Sequence, residues 1–190
     1  MKKYYLLISL LVVSFCLPAQ LIAADGQLIK SGQGSAVYYH GQDGLRYVFP
    51  NQSVYNSWYS DFSEVVTITH EELISKNLGG VVCYKPNTKL VKIVSDPKVY
   101  WVGENCLLRH VPNEKTAADL FGMDWVKKVD ILSVVYFDGY TIGFPLEEGG
   151  NLPIVVSDLN IDTNQIIVNI NTDDINNDNT NEDTNTENNT

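Results

Sequence analysis

Two of the three cysteines (Cys16 lies in the apolar leader), three histidines, two carboxylate pairs and a dense set of aromatic rings are the groups of this chain with reactive or ligand-binding potential. Cys83 and Cys106 could form a disulfide closing a loop of about 24 residues, worth roughly 3–4 kcal/mol. They could equally remain two separate buried thiols, acting as small apolar groups. Neither has a His–Asn setting nearby that would lower a thiol pKa, which speaks against a catalytic cysteine. His40, His70 and His110 lie far apart, and no two share a metal-ligand spacing such as His-x3-His, so no metal is expected. Asp158, Asn160, Asp162 and Asn164 alternate as in a calcium loop. However, Thr163 stands where that loop needs Gly, and Asn169 where a bidentate Glu should close it. Glu71-Glu72 and Glu147-Glu148 are adjacent carboxylates of the kind that usually face water, and no Ser-His-Asp arrangement stands in its expected context. No catalytic residue and no cofactor is expected.

The aromatic rings offer a different chemistry. Exposed tyrosine and tryptophan rings stack on sugar faces. Tyr39 and Trp101, on alternating hairpin positions, are the candidates for exposure, whereas Trp58 and Trp125 fit a packed core. Arg46 and Arg109, each following a Leu, could lay their guanidinium groups over an aromatic ring, pair with Asp61 and Asp124, or contact a ligand.

Secondary structure has to hold these groups in place, and its signals are written twice. VYYHGQDGLRYVFPN (residues 37–51) is answered by VYWVGENCLLRHVPN (residues 99–113). The correspondence runs on through Asp61-Phe62 and Asp124-Trp125 to Leu78-Gly79 and Ile142-Gly143. Order, spacing and residue class are kept over some 45 residues, which marks a repeat. Each copy predicts a β-hairpin turning at Gly41–Gly44 or Gly103–Asn105, then a helix capped by Asn51 or Asn113. Gly122 should stop the second helix, and Thr69 should open a helical turn over Glu71–Ser75. Between the copies, Val81–Tyr84 and Leu90–Val94 read as a central hairpin around Lys85-Pro86-Asn87-Thr88. A copy this short buries too little surface to stand alone, so the two should pack together.

The expected class is α+β: two duplicated hairpin/short-helix units around a central hairpin, with mostly antiparallel strands and a disordered C-terminal tail. The expected division is a signal peptide over residues 1–24, a flexible lead-in over 25–36 and the duplicated domain over 37–147. Within that domain the repeats span 37–79 and 99–143, joined by a connector over 80–98. A β-rich extension over 148–171 and an Asn/Asp/Thr-rich tail over 172–190 follow. Tyr140–Phe144 is expected to pair with the extension.

The leader has the order of a secretory signal: Lys2-Lys3, an apolar run from Leu6 to Leu17, then Ala23-Ala24. Bulky Phe15 before Cys16 argues against a lipid anchor, and no later stretch is apolar enough to span a bilayer. Cleavage after Ala24 leaves 166 of the 190 residues and takes the net charge from −10 to −12. Six of those negatives lie in the last twenty residues, so the body is only mildly acidic. No clustered basic face invites a phosphate backbone, so nucleic acid is not an expected partner.

Residues 44–80, GLRYVFPNQSVYNSWYSDFSEVVTITHEELISKNLGG, resemble a repeat of exported bacterial proteins. In that repeat a hairpin ending in Arg-aromatic-x-Pro leads to a helix, Asp-aromatic and a Leu-Gly ending. VCYKPNTKLVKIVSDPKVYWV, residues 82–102, resembles the segment joining two such copies in small-genome bacterial lineages. The resemblance covers residues 31–144. It implies a family of repeat-bearing surface proteins, with no settled activity, whose members sit beside envelope or cell-wall modules. This chain departs from that pattern at Cys83 and Cys106, where a polar residue and a glycine would be expected, and the departure favours a disulfide.

The reading that follows is a non-catalytic exported module of the envelope or cell surface, secreted or held there, with a binding or structural role. Cell-wall glycan or another surface protein would be its partner. The alternatives are a small envelope hydrolase or its regulatory subunit, and a calcium-responsive association domain.

Overall fold

The structure, a computed structural model, describes residues 26–154, 161 and 166–167. The expected signal peptide over residues 1–24, all four alternating residues Asp158, Asn160, Asp162 and Asn164, and the segment from residue 172 expected as a tail lie outside them. The first sheet is built from β1 (Gln27–Ser31), β2 (Val37–His40), β3 (Arg46–Val48), β4 (Val66–Ile68) and β5 (Leu78–Val82), with helices α1 (Gln52–Trp58) and α2 (His70–Ser75). The second sheet is built from β6 (Leu90–Lys92), β7 (Tyr100–Val102), β8 (Leu107–His110), β9 (Val129–Ile131) and β10 (Thr141–Ile142), with helices α3 (Glu114–Phe121) and α4 (Val134–Phe137). A short 3-10 helix, Trp125–Lys128, precedes β9, and β11 (Ile166–Ile167) joins the first sheet.

The strand orders are β11-β5-β3-β2-β1-β4 and β10-β8-β7-β6-β9. Apart from β11, the second repeats the first strand for strand, with the same pairing directions. The local devices repeat too. Asn51 Oδ1 accepts from Val54 N at 2.9 Å and Asn113 Oδ1 from Thr116 N at 2.8 Å, satisfying helix N–H groups that have no internal partner. Thr69 caps α2 through Glu72 N, and Gly122, at φ 88°, ends α3.

Several expectations are corrected. Residues 25–36 are not merely a flexible lead-in. Gln27–Ser31 is a strand between β2 and β4, with Ile29 wholly buried. Its counterpart β6 lies in what reads as the connector, so each copy begins one strand earlier than the visible repeat. The central hairpin does not form: β5 pairs with β3 and β11, while β6 pairs with β7 and β9. The physical reason is competition: β6 finds both partners inside its own copy, and β5 is taken by β3 of its own copy and by β11 of the extension. The α+β class is as expected, and antiparallel ladders outnumber parallel ones by five to four among the described residues. Among the described residues Tyr140–Phe144 does not pair with the extension: β10 pairs with β8, and Ile166–Ile167 of the extension pairs with β5.

The copies stack head to tail. In the first, Leu28, Tyr39, Phe49 and Tyr55 point to the α1 side and enter the main core. In the second, the equivalent Leu90, Trp101, Val111 and Ala117 form a separate cluster under α3. The opposite face of the second sheet, with Val91, Tyr100, Val102, Leu108 and Leu132, enters the main core instead. Its counterparts Ile29 and Ile68 sit with Leu73 in a small outer cluster under α2. The helix face of one copy therefore buries the reverse face of the other.

Sequence differences between the copies follow from this asymmetry. Where the buried reverse face carries Val102 and Leu108, the outer one carries His40 and Arg46. Where α4 reads Val-Val-Tyr-Phe, α2 reads His-Glu-Glu-Leu-Ile-Ser. Charged residues Glu114, Lys115 and Asp119 lie on α3 at the far end of the stack. Polar ends of this kind stop a stack of repeats from continuing.

Candidate functional site

Tyr39 and Trp101 cannot be a stacking platform, because they are only 4% and 2% exposed. They point to the helix face of their sheets, under α1 and α3, where a large ring is needed to fill the layer. Trp101 Nε1 donates to Asn87 Oδ1 at 3.0 Å, which satisfies its polar edge. Arg46 and Arg109 do not pair with Asp61 and Asp124. Arg46 lies over the Tyr38 ring at 4.8 Å and donates to the Lys76 carbonyl at 2.8 Å. Arg109 donates to the carbonyls of Phe144 and Pro145 at 2.7 and 2.9 Å. They also occupy non-equivalent positions, since Arg46 opposes His40 whereas Arg109 opposes Trp101. Both guanidinium groups are engaged in holding the chain around β5 and β10.

Cys83 and Cys106 form a disulfide, with their Cα atoms 5.8 Å apart. It joins the segment after β5 to the β7–β8 turn and so ties one copy to the other. Cys106 sits at φ 52°, where the first copy has Gly44 at φ 77°. A side chain in that left-handed region costs energy that glycine would not incur.

A polar junction crosses the same boundary. The Ser53 hydroxyl on α1 donates to the Asp130 carboxylate on β9, and Lys89 Nζ lies 3.2 Å from Asp130. Tyr84 is buried beside them, and burial is the main cause that pushes its pKa up to about 12. Tyr140, whose hydroxyl accepts from Tyr84 N at 3.3 Å, is raised further for the same reason. The cluster contains no histidine, and it joins the two copies. Among the described residues no three His, Cys, Asp or Glu side chains come together as metal ligands, and no helix is long and apolar enough to cross a membrane.

Among the described residues two Phe, Tyr or Trp rings are exposed: Phe144, 88% exposed just after β10, and Phe62, just after α1, where it joins a cluster of other rings. Phe62 is 48% exposed and stacks on Tyr55, with centroids 4.4 Å apart and planes at 11°. Tyr55 in turn packs against Tyr59 and edge-on against Phe49. Its hydroxyl donates to the Asp61 carbonyl at 2.7 Å, which holds the loop carrying Phe62 against the helix. Trp58, half-buried, donates from Nε1 to the Cys83 carbonyl at 2.8 Å, and Lys85 Nζ lies 5.7 Å over its ring. Hydrogen bonds from Ser63 hold the exposed Asp61 carboxyl below its ordinary pKa, so it is charged at neutral pH.

The result is a shelf of Trp58, Tyr59 and Phe62 flanked by one carboxylate and one ammonium group. Sequence reasoning puts Trp58 in the core and gives Phe62 no role in a site. The Asp-aromatic pair following each helix is the available signal. It stays ambiguous in sequence because the equivalent Trp125 packs into the cluster under α3. No family model, no curated protein and no solved structure matches the chain.

Proposed function

We propose that this chain is a non-catalytic exported module of the bacterial envelope or cell surface, and that it binds cell-wall glycan through the α1 shelf. The observation that carries this reading is Phe62, nearly half exposed yet held flat on the Tyr55 ring. A ring fixed in this way loses little side-chain freedom on binding, which lowers the cost of association. It offers its π face to the C–H face of a pyranose. Asp61 supplies a charged acceptor for sugar hydroxyls, and Lys85 a donor. The signal-like leader and the resemblance to envelope-associated repeats support a ligand of this kind.

The test is co-sedimentation of residues 25–190 with purified cell-wall polymer. Saturable binding that falls at least tenfold in Phe62→Ala and in Asp61→Asn, with the fold kept, is expected. Absence of binding, or binding untouched by both substitutions, removes the glycan reading.

A further inference from the structure

The two copies differ in charge just after α1 and α3. Each carries an Asp-aromatic pair there, Asp61-Phe62 in the first and Asp124-Trp125 in the second. In the second copy Val126-Lys127-Lys128 follows, and Lys127 Nζ lies 3.0 Å from the Asp124 carboxylate. In the first copy Ser63-Glu64 follows, and the chain has neither Lys nor Arg from residue 47 to residue 75. An aspartate met by an ammonium group in one copy therefore stands near a second carboxylate in the other. Among the described residues neither Asp61 nor Glu64 forms an ion pair, and both are exposed. Lys85 does not answer them, because its ammonium is held over the Trp58 ring.

The rings differ in the same sense. Trp125 packs into the cluster under α3, whereas Phe62 is exposed. Tyr55 covers one face of Phe62, which leaves the opposite face open. Burial raises the Tyr55 pKa, and the Asp61 and Glu64 charges raise it further, so both carboxylates act on the ring stack that supports Phe62. The face of an aromatic ring is itself electrostatically negative and attracts cations. Ring and carboxylates thus favour the same kind of group.

We propose, on the glycan reading of the α1 shelf, that its ligand is a sugar bearing a free, protonated amino group, with the ammonium on the open face of Phe62 and facing Asp61 and Glu64. An N-acetylated sugar carries no charge at that nitrogen and would leave both carboxylates unpaired. The free amine makes a cation–π contact and a charge-assisted hydrogen bond together. The second copy holds the same kind of contact within its own chain, the Lys127 ammonium on Asp124.

Calorimetric titration of residues 25–190 with oligomers of glucosamine, oligomers of N-acetylglucosamine and a lysine-rich peptide of equal charge tests this, at a pH that keeps the amines protonated and the carboxylates ionised. The glucosamine oligomer is expected to bind at least about fivefold more tightly than either of the others, the scale of an exposed cation–π contact together with an ion pair. Glu64→Lys, which installs the second copy's charge at an exposed site, is expected to remove that preference. Asp119→Lys makes the same change of charge on α3 and is expected to leave it. Equal or tighter binding of the acetylated oligomer, still lost in Phe62→Ala, overturns the free amine and leaves the glycan reading standing. Binding of wall polymer with neither oligomer bound has the same meaning. No binding of polymer or oligomers overturns both. A preference that survives Glu64→Lys, one that Asp119→Lys also removes, or equal binding of the peptide overturns the proposal as well.

Discussion

At Gly79 a methyl group would lie 2.5 Å from the Tyr47 ring and 2.9 Å from Leu45 Cβ. At Gly143, the same place in the second copy, the nearest atom is the Leu107 Cδ1 methyl at 2.9 Å. The repeated glycine is thus a close approach of β5 or β10 to the hairpin beside it. Gly79→Ala must displace a buried ring and should cost about 1–3 kcal/mol, whereas at Gly143 a leucine methyl can rotate away and the loss should be smaller. Urea unfolding of both variants checks this, and equal losses would contradict it. The left-handed φ of Cys106 makes a second prediction. With Cys83→Ala in the background, Cys106→Gly should be more stable than Cys106→Ala by about 1 kcal/mol, because only glycine adopts that backbone freely. Among single residues the caps were legible in the sequence, since Asn51, Asn113 and Thr69 act on N–H groups three residues away. The fate of Tyr39 and Trp101 was not, because alternation along a strand says that two faces differ and does not say which one is covered.

Among elements, the disulfide is the covalent link between copies, running from the segment after β5 to the turn after β7. Its reduction should destabilise the fold by about 3 kcal/mol, as expected for a loop of this size. Chemical denaturation with and without reductant measures the difference, and no change in midpoint would show that packing alone holds the copies in place. The hairpins β2–β3 and β7–β8 were legible because both strands and the turn lie within some fifteen residues. The strand β1 was not, and β6, legible as a strand within Leu90–Val94, was given the wrong partner. Each is short, and each pairs in parallel with a strand more than thirty residues further on. Nothing local marks such a partner.

For the whole molecule, the head-to-tail stack makes each copy depend on the other, since the main core takes one face from each. Residues 26–88 alone would expose Tyr55, Phe49 and Val82, and should give the circular dichroism of an unfolded chain. A cooperative melt from that fragment would contradict the shared core. The buried tyrosines add a pH dependence. Tyr84, at about 12 against an ordinary 10, and Tyr140, raised further, favour the folded state while protonated. Their contribution is complete below pH 10 and is lost as pH rises through the folded values. Stability should therefore fall between about pH 10 and 12, with part of the tyrosinate absorbance appearing only on unfolding. Full tyrosine titration before any unfolding would contradict it.

The repeat, the hairpins, the capped helices and the α+β class could all be read from the order of residues, because they rest on interactions a few positions apart. Which face of each sheet is buried could not be, nor that β5 and β6 part into different sheets. The exposure of the shelf at Phe62 likewise emerges only once the chain is packed. One cause underlies all of these. The two copies are alike in local sequence, and what separates them is the surface each turns toward the other.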